Sequence, residues 1–366
     1  MASNKRSKRI FYFDALRALA IITVIMFHVY LRYSVNGPVN WTPVPSFTWF
    51  LTDFYATVAR CGVAIFLMLS GALSLGREWE IRPFLSKRLP RIAMPFTFWV
   101  LVLSAIIILM YYFLPIHMFN YFPNFDVMTI LTFLYNAIMG DTVWFTPYWF
   151  FWMILGTYLA MPIINRWLLH SDLKEAEYFL VFWLITCLFT YTLKTDFIIK
   201  LNFFASPIGL VVLGYYLRHT DRKIFNSIYW AIAIFLASAV ALMGFSYFFS
   251  KGTTFFVFHR YAILYAIEVA AIFCIFKNFN QLNLNFGFLN NPDSLFKRSV
   301  FSIAKYSYGI YLTHQFILNI MIIMLTNHVK HSILMVILPI ITLILSWGML
   351  AVLNRVPHLN QWIGAK

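Results

Sequence analysis

Residues 9–30 read RIFYFDALRALAIITVIMFHVY, an apolar run of bilayer-crossing length interrupted by Asp14, Arg17 and His28. A helix needs about 20 apolar residues to cross the hydrocarbon core. An ionisable group inside such a helix is costly, so it faces the bundle interior, a partner or a water-filled cavity. At about 100° and 1.5 Å per residue, Arg17 and His28 fall on one face, about 16 Å apart along the axis. Asp14 lies one turn before Arg17 on nearly the same stripe. Singly, each has an ordinary explanation: Asp14 and Arg17 as an i,i+3 pair with the arginine snorkelling to headgroups, His28 as a neutral packing residue. Three on one stripe favour a shared polar site.

The basic start, Lys5, Arg6, Lys8 and Arg9, followed by an apolar run, has the outline of a secretory leader. The run is too long, holds three ionisable groups and lacks a small-x-small cleavage site, so it is expected to remain as the first span.

The rest of the chain repeats the apolar pattern. Of 366 residues, 61% are hydrophobic, 20% aromatic and 11% charged, against about a quarter charged in soluble domains. Mean hydropathy is +0.75. The expectation is an all-α membrane protein: one integral membrane domain over 1–366, a polytopic bundle of about ten transmembrane helices. The spans are placed at 10–33, 48–75, 92–114, 147–166, 177–194, 201–218, 226–249, 255–277, 302–326 and 332–353, between a basic tail at 1–9 and a short tail at 354–366. The segment 115–146 contains VMTILTFLYNAIM, too short to span, which is expected to lie in the interface or re-enter. No internal repeat of the transporter kind is visible, and no soluble appendage is expected.

The net charge of +15 could point to nucleic acid, but its placement reports topology. With both termini inside, 20 of the 28 Lys and Arg fall on the inner side and five on the outer; Arg17, Arg60 and Arg260 remain within or near spans. That bias predicts cytoplasmic termini and adds attraction to anionic membrane lipids. No nucleic-acid-binding module is present. Cys61, Cys187 and Cys274 lie in expected spans without metal-ligand spacing, so they are expected to be small core residues, and no metal is expected.

A second polar cluster begins in residues 66–96, FLMLSGALSLGREWEIRPFLSKRLPRIAMPF. Arg88 and Arg91, three apart at an expected helix start, can aim at one anion; the alternative is a pair of positive-inside anchors. Ser70 and Gly71 suit close helix packing. His314, in YSYGIYLTHQF, falls mid-span and is equally a cavity or a core histidine. Arg260 and Glu268, with His259, and Asp53 with Arg60 suggest buried ion pairs of structural value. Asp141 is expected on the outer surface, and the Trp and Tyr of 143–152 in an interfacial aromatic belt.

Five of these stretches together resemble the acyltransferase family 3 membrane proteins. FDALRALAIITVIMFH is similar to that family's first-span signature, an Asp, Leu-Arg three on, and a His eleven residues after the Arg. FLMLSGAL resembles its Phe-x-x-Ser-Gly-x-Leu, RLPR its Arg-x-x-Arg, YWFFWMILGTYLAMP its Trp-Phe segment ending Tyr-Leu-x-x-Pro, and YSYGIYLTH its Ser-Tyr-x-x-Tyr-Leu-x-His. They occur in family order along essentially the whole chain. Where many members have His-Leu-Trp-Phe at the fourth span, this chain has Pro147, Tyr148, Trp149 and Phe150, so no role for that histidine carries over. Leu-Arg-Ala-Leu-Ala replaces the common Leu-Arg-Gly-Ile-Ala, and the esterase-like domain that some members carry after the spans is not expected here.

The resemblance implies transfer of an acyl group, typically acetyl, from cytoplasmic acyl-coenzyme A (acetyl-CoA) to a glycan or related acceptor in the cell membrane, with separate glycan-assembly proteins as candidate partners. Arg17, Arg88 and Arg91 would then bind coenzyme A phosphates, and the pantetheine arm would rise toward His28. His28 would act as general base or acyl relay, Asp14 would orient Arg17, and His314 or a backbone donor would stabilise the oxyanion. The competing class is an exporter of a saccharide or organic acid with His28 as proton relay; it would need no acyl donor. A structural scaffold leaves the aligned charges unexplained.

Overall fold

The computed structural model describes residues 10–32, 47–113, 126–195, 207–249, 261–282, 291 and 293–365. They are helical, with no strand among them. Nine helical stretches of the described residues are long and apolar enough to cross a membrane: Phe11–Tyr30, Trp49–Ser74, Ile81–Phe113, Thr146–Leu169, Leu173–Leu193, Ile228–Phe248, Ile263–Leu282, Leu295–Leu325 and Ser332–Leu353. The chain is an all-α polytopic membrane protein.

Helix α1 (Phe11–Tyr30) runs through the middle of the bundle. It packs against α2 (Phe47–Ala59), α3 (Cys61–Ser74), α10 (Ile263–Asn278), α11 (Leu295–Leu325) and α12 (His331–Leu353). The second expected span is α2 and α3 in series, broken at Arg60, whose N–H is shared between the Ala56 and Thr57 carbonyls at 3.2 and 3.4 Å. Helix α4 (Ile81–Phe113) starts well before the expected residue 92, and its 33 residues rise about 50 Å. Arg88 and Arg91 therefore sit inside this helix rather than at its start, still one turn apart on one face.

Within the expected span at 201–218, the described residues form α8 (Ile208–His219), 12 residues about 18 Å long. It is enclosed by protein: Leu210, Val211, Val212 and Leu217 are buried. Its backbone lies directly on α3. A Cβ on Gly71 would lie 1.8 Å from the Val211 carbonyl oxygen, and one on Gly214 would lie 2.0 Å from that of Met68. Small residues permit this approach in a membrane, where packing and hydrogen bonds replace the hydrophobic drive.

Helix α5 (Val127–Met139) spans 13 residues, is N-capped by Asp126 and stops at Gly140 with a left-handed backbone. The Thr129 N–H donates to Asp126 Oδ1 at 2.7 Å, which holds that carboxyl below its ordinary value. It is too short to span, as expected, and buries Phe133 and Ala137 against the bundle. Asp141 is exposed. In the aromatic segment after it Trp144, Phe145, Tyr148, Phe150 and Phe151 are buried and Trp152 is exposed, and the segment leads into α6 (Trp149–Leu169). Helices α7 (Leu173–Thr186) and α9 (Ile228–Phe249) complete the bundle. The three cysteines are buried and free, the outcome expected for core residues.

Candidate active site

Helices α1 and α11 run side by side in the same direction, and two pairs of residues record it. Arg17 and Lys305 line one cavity; eleven and nine residues further on, His28 meets His314. The His314 Nε2 lies 3.4 Å from His28 Nδ1, with ring centroids 5.0 Å apart.

Hydrogen bonds to carbonyls fix the tautomers of this pair, because a carbonyl only accepts. His28 Nδ1–H donates to the Val24 carbonyl at 2.8 Å. His314 Nδ1–H donates to the carbonyls of Tyr311 at 2.7 Å and Ile310 at 3.2 Å. Each neutral ring thus carries its proton on Nδ1. The His314 Nε2 lone pair then faces the His28 Nδ1–H, and the His28 Nε2 lone pair meets no donor among the described residues. Both nitrogens of His314 are engaged, so it orients His28 and has no N–H left for the oxyanion role expected of it.

The cavity measures about 380 Å³ and holds four cations in its lining: Arg17 from α1, Arg88 and Arg91 from α4, and Lys305 from α11. The three arginines expected to act together are together. Asp14 is buried and contacts Arg17 at 3.5 Å (Oδ1 to Nη1). Arg88 donates from Nη2 to Ser74 Oγ at 2.9 Å and lies over the Phe84 and Tyr158 rings at 5.7 and 5.9 Å. Those rings leave its charge available while removing water from one side. The turn that delivers α4 is pinned beneath: Gly76 N–H donates to Asn165 Oδ1 at 2.8 Å, and Asn165 Nδ2 donates to the Arg77 carbonyl at 3.0 Å. Trp79 donates from Nε1 to the Ser74 carbonyl at 2.9 Å and stacks on Phe84 at 3.9 Å.

The inner wall of the cavity is Phe66, Phe150 and Tyr311. The two histidines lie beyond it: the Tyr311 ring stands 5.9 Å from that of His314. The Tyr311 hydroxyl donates to the Pro147 carbonyl, and Tyr148, in place of the family's histidine segment, donates to the Leu312 carbonyl at 2.9 Å. This aromatic segment therefore braces α11 beside His314. Sequence reasoning missed Lys305, Ser74 and Tyr158; Lys305 looked like one more inner-side lysine.

The other ionisable residues gather on a different flank of α1. Asp53 accepts from Ser246 Oγ at 2.8 Å, and Glu268 accepts from Cys61 Sγ at 3.4 Å. The Arg60 guanidinium lies over the Phe27 and Tyr265 rings at 4.9 and 5.6 Å. Arg260 and His259, the expected partners of Glu268, lie outside the described residues.

A pair of histidines, His314 buried and His28 half-buried, beside a cation-lined chamber in a helical bundle of bilayer length, defines an integral membrane protein with an internal polar site. The model of the acyltransferase 3 family, an acyltransferase domain, matches residues 10–351, nearly the whole chain. The chain belongs to that family and is a membrane acyltransferase. Among curated proteins and solved structures, none matches it.

Proposed function

We propose that this protein is an O-acyltransferase that moves an acyl group, acetyl in the first instance, from acyl-coenzyme A to a hydroxyl of a cell-surface or lipid-linked glycan. One observation carries the proposal: Arg17, Arg88, Arg91 and Lys305 converge on one cavity whose inner wall adjoins the His28–His314 pair. Four cations suit a donor with several phosphates, and paired arginines suit phosphate oxygens. The bias of Lys and Arg supports a cell-membrane protein with both termini in the cytoplasm, which puts the cation cavity on the donor's side.

In this scheme the phosphates sit among the four cations, with Asp14 holding Arg17 in place. The pantetheine arm passes the Tyr311 ring when the ring turns from Pro147. His28 Nε2 takes the proton of the acceptor hydroxyl while its oxygen attacks the thioester carbonyl. The tetrahedral intermediate collapses with loss of the C–S bond, and the departing thiolate regains the proton from His28. His314 holds the tautomer that leaves Nε2 free.

The test uses purified protein in liposomes with acetyl-labelled coenzyme A, wild type beside His28→Ala at matched insertion. His28-dependent movement of label to a lysate glycan fraction, or its release as acetate, is the expected result. Absence of both turnover and donor binding in wild type sinks the proposal and turns attention to flux measurements for an exporter.

A further inference from the structure

The segment after α12 does not trail away from the bundle. A turn of 3₁₀ helix at Leu359–Gln361 closes at Gly364, whose φ is +79°. The Ala365 N–H returns to the Asn360 carbonyl at 3.3 Å, a closure that a left-handed glycine permits. Ile363 and Ala365 are buried, at 0% and 4% exposure. From α4, Trp99 Nε1–H donates to the Ile363 carbonyl at 3.4 Å.

The contact with α11 is backbone on backbone. A Cβ on Gly364 would lie 2.9 Å from Gly309 N, and a Cβ on Gly309 would lie 2.4 Å from the Ile363 carbonyl oxygen. Neither position admits a side chain without displacing the segment. Gly364 is also part of the lining of the cation cavity, with Lys305 and Ser307 of α11 and Arg91 and Ile92 of α4. The gap between α4 and α11 is bridged elsewhere by Tyr308, which donates to the Ile92 carbonyl at 2.8 Å.

We propose that the segment 359–365 fixes Gly364 as a wall of the cation cavity, held by the Gly309–Gly364 contact and required to retain the phosphate-bearing donor. The ligand named here rests on the donor assignment above; the wall itself rests on packing alone. A cavity walled on this side keeps water from the phosphate–cation contacts and strengthens them, since charge–charge energy rises as the local dielectric falls. The step from α12 to Gly364 thus serves the donor, although it belongs to no membrane span.

The experiment compares wild type, Gly364→Val and Gly309→Val as full chains in lipid nanodiscs. Affinity for coenzyme A is measured by titration, and the rate at which a charged maleimide labels Ser307→Cys is measured in each background and corrected for the native cysteines. Both glycine variants are expected to lose about tenfold or more in affinity and to label faster. Trp99→Phe keeps the ring, deletes the hydrogen bond to Ile363, and gives a loss of about two- to threefold, so the inference does not hang on variants that fold poorly. Wild-type affinity in both glycine variants overturns the inference. A wild type that fails to bind coenzyme A refutes the donor assignment instead, and the labelling rates then judge the wall alone: unchanged rates in both variants overturn it.

Discussion

Two groups of charges occur in this bundle, one packed among neighbours and one facing an open cavity, and they are built differently. Around Arg60, the groups are met by close protein neighbours: Ser246 on Asp53, Cys61 on Glu268, aromatic rings under the guanidinium. Around Arg17, Arg88 and Arg91, the charges point into about 380 Å³ of space. Charge in a bilayer marks function when the structure leaves room beside it, and marks architecture when neighbouring side chains fill that room. In the first group, Asp53 Oδ2 and Glu268 Oε1 are buried with no hydrogen-bond partner among the described residues.

The contrast can be broken most decisively at His28. His28→Ala should lower the transfer rate about 10²–10⁴-fold with the thermal unfolding midpoint nearly unchanged; a variant with normal turnover would strip the histidine pair of its role. The architectural group should give the mirror image. Glu268→Ala removes the nearer acceptor of the Cys61 thiol and should cost about 1–3 kcal/mol of stability, read from detergent-titrated unfolding, while kcat per folded molecule stays at the wild-type value. A large drop in kcat at unchanged stability would merge the two groups into one site. Arg88→Ala should raise the KM for the donor about tenfold with a smaller effect on kcat, the pattern of a lost ground-state contact. Lys305→Ala, a single flexible point charge at an exposed position, should raise it only about threefold; equal effects would mean that lysine and arginine share the same phosphate.

Much of this arrangement was legible in the chain because membranes make charge conspicuous. Arg17 and His28 announced one face of α1 by spacing alone, and Arg88 and Arg91 kept their shared face even though α4 begins at Ile81. Hydropathy located the long spans for the same reason. What hid was set by contact between distant segments. Nothing local in residues 208–219 says that a 12-residue helix will be enclosed, since that depends on Gly71 and Gly214 meeting the backbones of their partners. The aromatic run at 143–152 has the composition of an interfacial belt, and only its hydrogen bonds with Leu312 and Tyr311 tie Pro147 and Tyr148 to α11. Lys305 carries the sign that topology already explains, so its second role left no separate mark. Gly309 sat inside a quoted motif without a reason; its neighbour Ile363, more than fifty positions on, supplies one.

The seam between α3 and α8 also bears on how the protein is made. The groove at Gly71 stays open until Val211 arrives. At about 5–20 residues per second of synthesis, that delay is roughly 7–30 s, during which the half-built bundle carries an exposed glycine face. A membrane chaperone or the insertion machinery itself would have to shield that face, and the interval between these two helices is where biogenesis of the enzyme is most open to error.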